Sequence, residues 1–202
     1  MNFFTSDLHF YHKNIIKYSD LPYKDTKEMV AKRIKNIQSV CARYQNEKRN
    51  LYFLGDYQLS KSIELFDNTY FQIAPYFEKI YWIKGNHDNY YLYKKVTEEY
   101  GVIGLKNEYE IEIGDFKVKL LHNPADATQI NNYYLHGHIH NNSYLYNDEK
   151  FQTTNNRYFY DKEKNNLFIN LSIDVWNEFI VPDMIIENYI ATIEKERKEN
   201  EY

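Results

Sequence analysis

The histidines of this 202-residue chain are its most informative residues. His9, His12, His87, His122, His136, His138 and His140 all sit at or beside the ends of short apolar runs, a placement that random scatter would not produce. Two pairs, Asp7 with His9 and His138 with His140, are spaced two residues apart. In an extended segment or a tight loop both members of such a pair can turn toward one point, as metal ligation requires. Imidazole nitrogen with carboxylate or amide oxygen is a borderline-to-hard donor set suited to Zn, Mn, Fe or Ni, and it fits a hydrolytic metal site. Cys41 is the single cysteine, which excludes both a thiolate metal cluster and an internal disulfide.

The elements that must position these residues are visible in the patterning. Phe3 to Ser6, Leu51 to Leu54, Ile80 to Ile83, Val118 to Leu121 and Tyr133 to Leu135 have the length and composition of buried strands. Each leads into polar residues: Asp7-Leu8-His9, Gly55-Asp56, Gly85-Asn86-His87-Asp88, His122, and His136-Gly137-His138-Ile139-His140. Helical patterns lie between them. Asp25 with Glu28 reads as a capping box, and Val30, Ile34, Ile37, Cys41 and Tyr44 then recur at spacings of three and four, which puts Cys41 on a core stripe. Ser60 is positioned to cap a second helix containing Ile63 and Phe66, and a third helix follows Asp88-Asn89 and stops near Gly101. Strands alternating with helices predict an α/β domain with its site on loops at the carboxyl ends of strands.

The second half changes character. Tyr109 to Ile113 and Phe116 to Leu121 flank Gly114-Asp115, a hairpin signature that makes the later sheet partly antiparallel. Asn141 to Asn166 is expected as a long loop or exposed hairpin beside the site, and Leu167 to Val175 as a buried strand. A last helix from Met184 to about Glu196 should turn Ile185, Ile186, Tyr189, Ile190 and Ile193 inward. No repeat or linker divides the chain, so residues 1–202 are expected to form a single domain, with 190–202 a fraying helix end.

Taken singly, Asp7 or Asp56 could cap a helix, Asn86 with Asp88 could close a turn, and His122 could be an ordinary strand-end histidine. In order and together, Asp7-x-His9, Gly55-Asp56, Gly85-Asn86-His87-Asp88, a lone His122 after a strand and Gly137-His138-x-His140 resemble the motifs of the calcineurin-like metallophosphoesterases, over Phe3 to about Val175. Thr5-Ser6-Asp7-Leu8-His9-Phe10, with His12 and Asn14-Ile15-Ile16, is further similar to the compact bacterial and phage members. The resemblance implies an αββα four-layer sandwich of two mixed β-sheets flanked by helices. It also implies two divalent ions, Mn²⁺ foremost with Fe, Zn or Ni as alternatives. Asp7, His9, Asp56 and His140 would hold one; Asp56, Asn86, His122 and His138 would hold the other, with Asp56 as the bridge. A shared carboxylate would offset the repulsion of cations about 3.5 to 4 Å apart, and water between them would be acidic enough to serve, near neutral pH, as the hydroxide that attacks phosphorus. His87 corresponds to the family's non-ligating histidine, placed to protonate the leaving group or bind a phosphate oxygen, and Asp88 would orient its imidazole. His12 is expected to contact phosphate or to back a ligand. His136 would either join the site or pack behind Gly137, Asn123 would back His122 or form a turn, and Asp174 would orient a ligand from behind or close a strand.

Departures from the family pattern and the composition narrow the substrate. After Gly55-Asp56 the chain reads Tyr57-Gln58-Leu59-Ser60 where Ser/Thr protein phosphatases carry Asp-Arg-Gly, which argues against a phosphoprotein phosphatase. Tyr11 stands where the compact relatives commonly have Gly and could narrow the pocket or stack over it. Tyr90, Tyr91, Tyr93, Tyr133, Tyr134 and Tyr144 lie near site-bearing segments and either face a nucleobase or pack in the core. The 22 tyrosines, among many Asn, Lys and Ile, fit AT-rich codon usage better than an extended stacking surface. A net charge of −4 argues against duplex nucleic acid as a partner, because duplex affinity depends on Lys and Arg neutralising phosphates. With 43% hydrophobic residues the chain can bury a sizeable core, and no apolar run approaches the roughly 18 residues of a bilayer span. Met1 to Asp7 lacks an export signal, and the lone cysteine suits a reducing cytoplasm. The expectation is a cytoplasmic metal-dependent phosphoric ester hydrolase acting on a small nucleotide-like phosphodiester or phosphomonoester. A metal-dependent nuclease, or a non-catalytic protein-binding module on the same fold, is the alternative.

Overall fold

The computed structural model describes residues 1–141 and 151–200. Its elements are, in chain order, β1 (Asn2–Thr5), α1 (Lys13–Tyr18), α2 (Thr26–Arg43), β2 (Asn50–Phe53), α3 (Ile63–Ile73), β3 (Lys79–Ile83), α4 (Tyr90–Glu99) and β4 (Ile103–Leu105), then β5 (Tyr109–Ile113), β6 (Phe116–Leu120), β7 (Tyr133–His136), β8 (Phe151–Asn155), β9 (Tyr158–Asp161), β10 (Asn166–Asn170), β11 (Val181–Pro182) and α5 (Asp183–Asn200). The strands form two sheets, ordered β11-β1-β2-β3-β4 and β5-β6-β7-β10-β9-β8. In the first, β1 to β4 are parallel and β11 is antiparallel to β1. In the second, β6, β7 and β10 make a parallel centre, β5 pairs antiparallel with β6, and β9 and β8 extend antiparallel from β10.

Alternate side chains of a strand face opposite sides of a sheet, so a strand buried on both faces reads as a continuous apolar run. That is the case here. Phe3, Leu51, Phe53 and Trp82 enter a core shared with α2, α3 and α4, whereas their neighbours Phe4, Tyr52 and Ile83 enter a second core between the sheets. Val118, Leu120, Leu135, Leu167 and Ile169 of the second sheet, with Ile186, Ile190 and Ile193 of α5, complete that inter-sheet core. The far side of the second sheet carries a smaller cluster of Leu121, Ala127, Tyr134, Ile139, Phe159 and Phe168. The result is the expected α/β sandwich of two mixed sheets with flanking helices.

The parallel strands end level with one another: Thr5 pairs with Phe53 and Phe53 with Trp82, while Leu120 pairs with Leu135 and Leu135 with Ile169. Beyond those ends β1 and β10 run on toward each other. Ser6 N donates to Leu171 O at 3.0 Å and Ile173 N to Ser6 O at 3.1 Å, which stitches the sheets together at one edge. Every loop that leaves this edge carries a residue singled out above.

Several boundaries differ from the sequence expectation. Asp25 does cap α2, accepting from Glu28 N at 2.9 Å. The α3 cap, however, is Ser62 and not Ser60, whose hydroxyl instead accepts from Ser62 N in a local turn. The strand expected from Leu167 to Val175 stops at Asn170, because Ile173–Trp176 winds into a 3-10 turn. Part of 141–166 is ordered into the β8–β9 hairpin at the sheet edge; Tyr144 lies outside the described residues. The last helix runs on to Asn200. Its buried face is Ile186, Ile190 and Ile193, at spacings of four and three, and Ile185, one residue off that line, is 42% exposed. Ile186→Ala should therefore destabilise the protein by about 2 to 5 kcal/mol in urea denaturation, and Ile185→Ala by less than about 0.5 kcal/mol. Equal effects would contradict this placement of α5.

Candidate metal centre

The loops after β1 and β2 are zipped together by backbone hydrogen bonds from Asp7 N to Gly55 O at 2.9 Å, His9 N to Asp56 O at 2.9 Å and Phe10 N to Tyr57 O at 2.8 Å. To bring side chains two residues apart to one point, the backbone turns into the left-handed region at Asp7 (φ 58), His9 (φ 41), Asp56 (φ 62), His138 (φ 74) and His140 (φ 50). Non-glycine residues pay for that conformation, and it persists where the surroundings over-determine it, characteristically at functional sites. Gly137 is required by close approach, since any Cβ there would overlap Ser6 Oγ and Asp7 Oδ2. Gly55 combines φ +97 with a Cβ position blocked by the His122 ring.

Two groups of donors result. Asp7, His9 and His140 form one, and Asp56, His122 and His138 the other; in each, the ligand atoms lie within 4.8 Å of one another. In the first, His9 Nε2 is 3.2 Å from His140 Nε2, and both are 3.8 Å from Asp7 Oδ1. In the second, Asn86 Oδ1 is 2.9 Å from both His122 Nε2 and His138 Nδ1. Asp56 Oδ2 lies between the groups, 3.4 Å from His122 Nε2 and 3.6 Å from His9 Nε2. Nitrogen and oxygen donors roughly 2.1 Å from a shared ion stand about 3 to 3.6 Å from each other, so these spacings and donor types fit divalent cations.

Five of the seven donors are aimed by a further contact. His122 Nδ1 meets Leu54 O at 2.7 Å, His140 Nδ1 meets Asp174 Oδ2 at 3.1 Å, and His9 Nδ1 meets His12 Nδ1 at 3.3 Å. Such partners fix the tautomer and ring orientation of a metal-binding histidine. Ser172 Oγ donates to Asp7 Oδ2 at 2.8 Å, and His87 N donates to Asp56 Oδ1 at 2.8 Å. The electrostatics follow from this crowding. Burial would raise the Asp56 carboxyl, but the hydrogen bond and charge of His122, with the charge of His9, hold it below the usual carboxylate range. Burial works against the His122 imidazolium, yet its hydrogen bond to Asp56 and the charges of Asp7 and Asp56 lift it to about 9. Burial and the charge of His140 push His9 well down. His140 is raised because Asp7 and Asp174 outweigh its burial.

His87 is exposed, with its ring 5.3 Å from that of His9 and 5.8 Å from that of His12. Asp88 and Tyr11 depart from expectation, whereas His136 and Asn123 take the packing and turn alternatives. Asp88 does not orient His87: its buried carboxylate accepts from Gly85 N, Asp56 N, Tyr57 N and Trp82 Nε1 at 2.8 to 3.0 Å, tying the Asn86 loop to the Asp56 loop. Burial and the Asp56 charge push it up to about 6, against those backbone donors. Tyr11 packs against the core beneath α2 and lines a groove with Lys27, Val30 and Ile34, away from the donors. His136 is fully buried on the far face of the second sheet against Phe159 and Phe168, and burial lowers it to about 3. Asn123 closes a turn by accepting from Ala125 N at 3.0 Å. Among the tyrosines, Tyr90 and Tyr91 are exposed, Tyr93 packs on Trp82, Tyr133 on Phe116, and Tyr134 stacks on Phe168. Ser172, Trp82 and Arg33, which touch this framework, carry no pattern in the sequence that marks them, although Ser172 lies two residues before Asp174.

A family model described as calcineurin-like phosphoesterase matches residues 3–187, and the chain belongs to that family. An uncharacterised protein of Methanocaldococcus jannaschii is 34% identical over 142 residues, covering 69% of each chain. A solved protein of unknown function from Aquifex aeolicus shares the fold with a TM-score of 0.64 at 18% identity, over 94% of this chain and 98% of its own. A nuclease from Pseudomonas putida aligns with a TM-score of 0.46 at 14% identity, over 69% of this chain and 61% of its own. Among the described residues no helix is long and apolar enough to cross a membrane.

Asp88→Asn puts an amide N–H₂ against some of those donors. It should cost about 1 to 3 kcal/mol of stability and weaken Mn²⁺ retention in parallel, measured by thermal unfolding and metal analysis. Lost turnover with stability and metal content unchanged would restore the role of orienting His87.

Proposed function

We propose that the protein is a metal-dependent phosphoric ester hydrolase acting on a small nucleotide-like phosphodiester or phosphomonoester. The observation that carries the reading is the position of Asp56 Oδ2 between two donor groups, 3.6 Å from His9 Nε2 and 3.4 Å from His122 Nε2. On this reading Asp7, His9, Asp56 and His140 hold one divalent ion, and Asp56, Asn86, His122 and His138 the second, with manganese the first choice and iron, zinc or nickel compatible. When bound, such a pair polarises a phosphate ester and lowers the pKa of water in the site.

The chain's own residues do the rest. Asp56 keeps the two donor groups in register, and the buried partners Leu54 O and Asp174 keep imidazole nitrogens aimed inward. His87, exposed beside His9, delivers a proton to the departing oxygen or binds a phosphate oxygen. His12, half-buried between His9 and His87, lines the same side and contacts phosphate. The exposed Tyr90 and Tyr91, edge to face at 5.9 Å, open α4 three and four residues after His87 and support a base-containing leaving group. The net negative charge supports a small substrate over a duplex.

Chelation should abolish turnover and Mn²⁺ should restore it, in a screen across cyclic nucleotides, dinucleotides, nucleoside monophosphates and duplex plasmid. Asp56→Asn should lose metal and activity together. Activity that survives exhaustive chelation overturns the proposal, and efficient cutting of plasmid with inert small diesters replaces it with a nuclease.

His87→Ala should keep its metal while turnover of a poor leaving group falls by about 10² to 10⁴-fold, with a smaller loss for nitrophenolate, which needs little protonation. Equal losses on both substrates would assign His87 to phosphate binding.

A further inference from the structure

Arg33 is the largest fully buried side chain among the described residues, and it stands on a face of α2 that is otherwise mostly apolar. Its guanidinium reaches two separate segments. Nη1 donates to Leu8 O at 2.6 Å and to Asp7 O at 3.3 Å, the carbonyls of the strained Asp7–His9 turn. Nε and Nη2 donate to the two carboxylate oxygens of Glu178 at 2.5 and 3.0 Å. Glu178 is itself left-handed (φ 67), as is Asn177 (φ 55), and its backbone closes the Ile173–Trp176 turn through Glu178 N to Ile173 O at 2.9 Å. That turn carries Asp174, which meets His140. Asn36 Nδ2 also donates to Glu178 O at 2.9 Å, so α2 holds the segment twice.

One side chain thus ties down the loop that bears Asp7 and His9 and the turn that backs His140, all three members of the first donor group. Arg33 touches no residue of the second group, where Asp88 holds the Asp56 loop, Leu54 O meets His122 and Asn86 meets His138; the groups join where His138 N donates to Asp7 Oδ2 at 3.0 Å. We infer that Arg33 is a positioning residue for the first donor group alone, a reading that rests on these groups holding divalent ions. Strained turns need donors that leave no alternative conformation, and a planar fork with five N–H groups satisfies two carbonyls and a carboxylate at once. A lysine has one ammonium and cannot span both ends.

The test is equilibrium binding of Mn²⁺ to the full chain, counting ions and affinities. Wild type should bind two. Arg33→Lys should keep one ion within about twofold of wild type and bind the other about 10 to 100-fold more weakly. Glu178→Gln should weaken the same ion by less, and provides the reading if Arg33→Lys does not fold. Arg49→Lys is the structural control: Arg49 bonds the carbonyls of Cys41, Tyr44 and Tyr76 and no donor loop, so its loss should lower Tm and leave both ions bound. Unchanged binding in the Arg33 and Glu178 variants, or equal weakening of both ions, overturns the inference while leaving the metal reading intact. A wild type that binds no Mn²⁺ overturns both.

Discussion

The atom on which the structure depends is Asp56 Oδ2, set between imidazole nitrogens of two donor groups. Carboxylates and imidazoles this close and this buried oppose folding unless their charges are matched, because burial penalises every unpaired charge. The surrounding chain supplies the matching. His87 N bonds the other Asp56 oxygen, Asp88 holds the Asp56 amide, and the loop lies against the Asp7–His9 turn through main-chain hydrogen bonds. Left-handed backbone at five candidate ligands is the cost of this convergence, offset by the packing that surrounds it.

Each donor group draws on both sheets. Asp7 and His9 follow β1, Asp56 follows β2 and Asn86 follows β3, whereas His122 follows β6 and His138 and His140 follow β7. Neither sheet alone carries a complete group, so the site exists only once the inter-sheet core has formed and the Ser6–Leu171 stitch has closed. Gly137 shows how tight this junction is, since its missing side chain is the space that Ser6 and Asp7 occupy. Stability and chemistry are therefore coupled here: a change that loosens sheet packing also moves donors.

Much of this was legible beforehand. Continuous apolar runs of strand length that end in His, Asp and Asn marked the strands and their functional ends, because a strand buried on both faces is apolar at successive positions. The ordered motifs pointed to the family, and Asp25, Asn89 and the Gly114-Asp115 turn were readable because capping and hairpin chemistry is local. Less was legible where two signals competed: Ser60 and Ser62 both suit a cap, and Ile185 and Ile186 both suit a core, so only packing chose between them.

Sequence by itself determined the residue types at the strand ends, the continuous apolar runs that bury both faces of the sheets, and hence the donor set and the class of protein. Tertiary structure alone decided what each neighbour does. Asp88 beside His87 turned out to serve Asp56, because residues adjacent in sequence point in different directions at a tight turn. Tyr11 and His136, each two residues from a donor, pack against a core instead. Arg33, 26 residues from Asp7 with no motif around it, reaches the site because α2 packs it against the carbonyls of Asp7 and Leu8. Contacts between distant segments have no period or spacing, and so they leave no trace in one sequence.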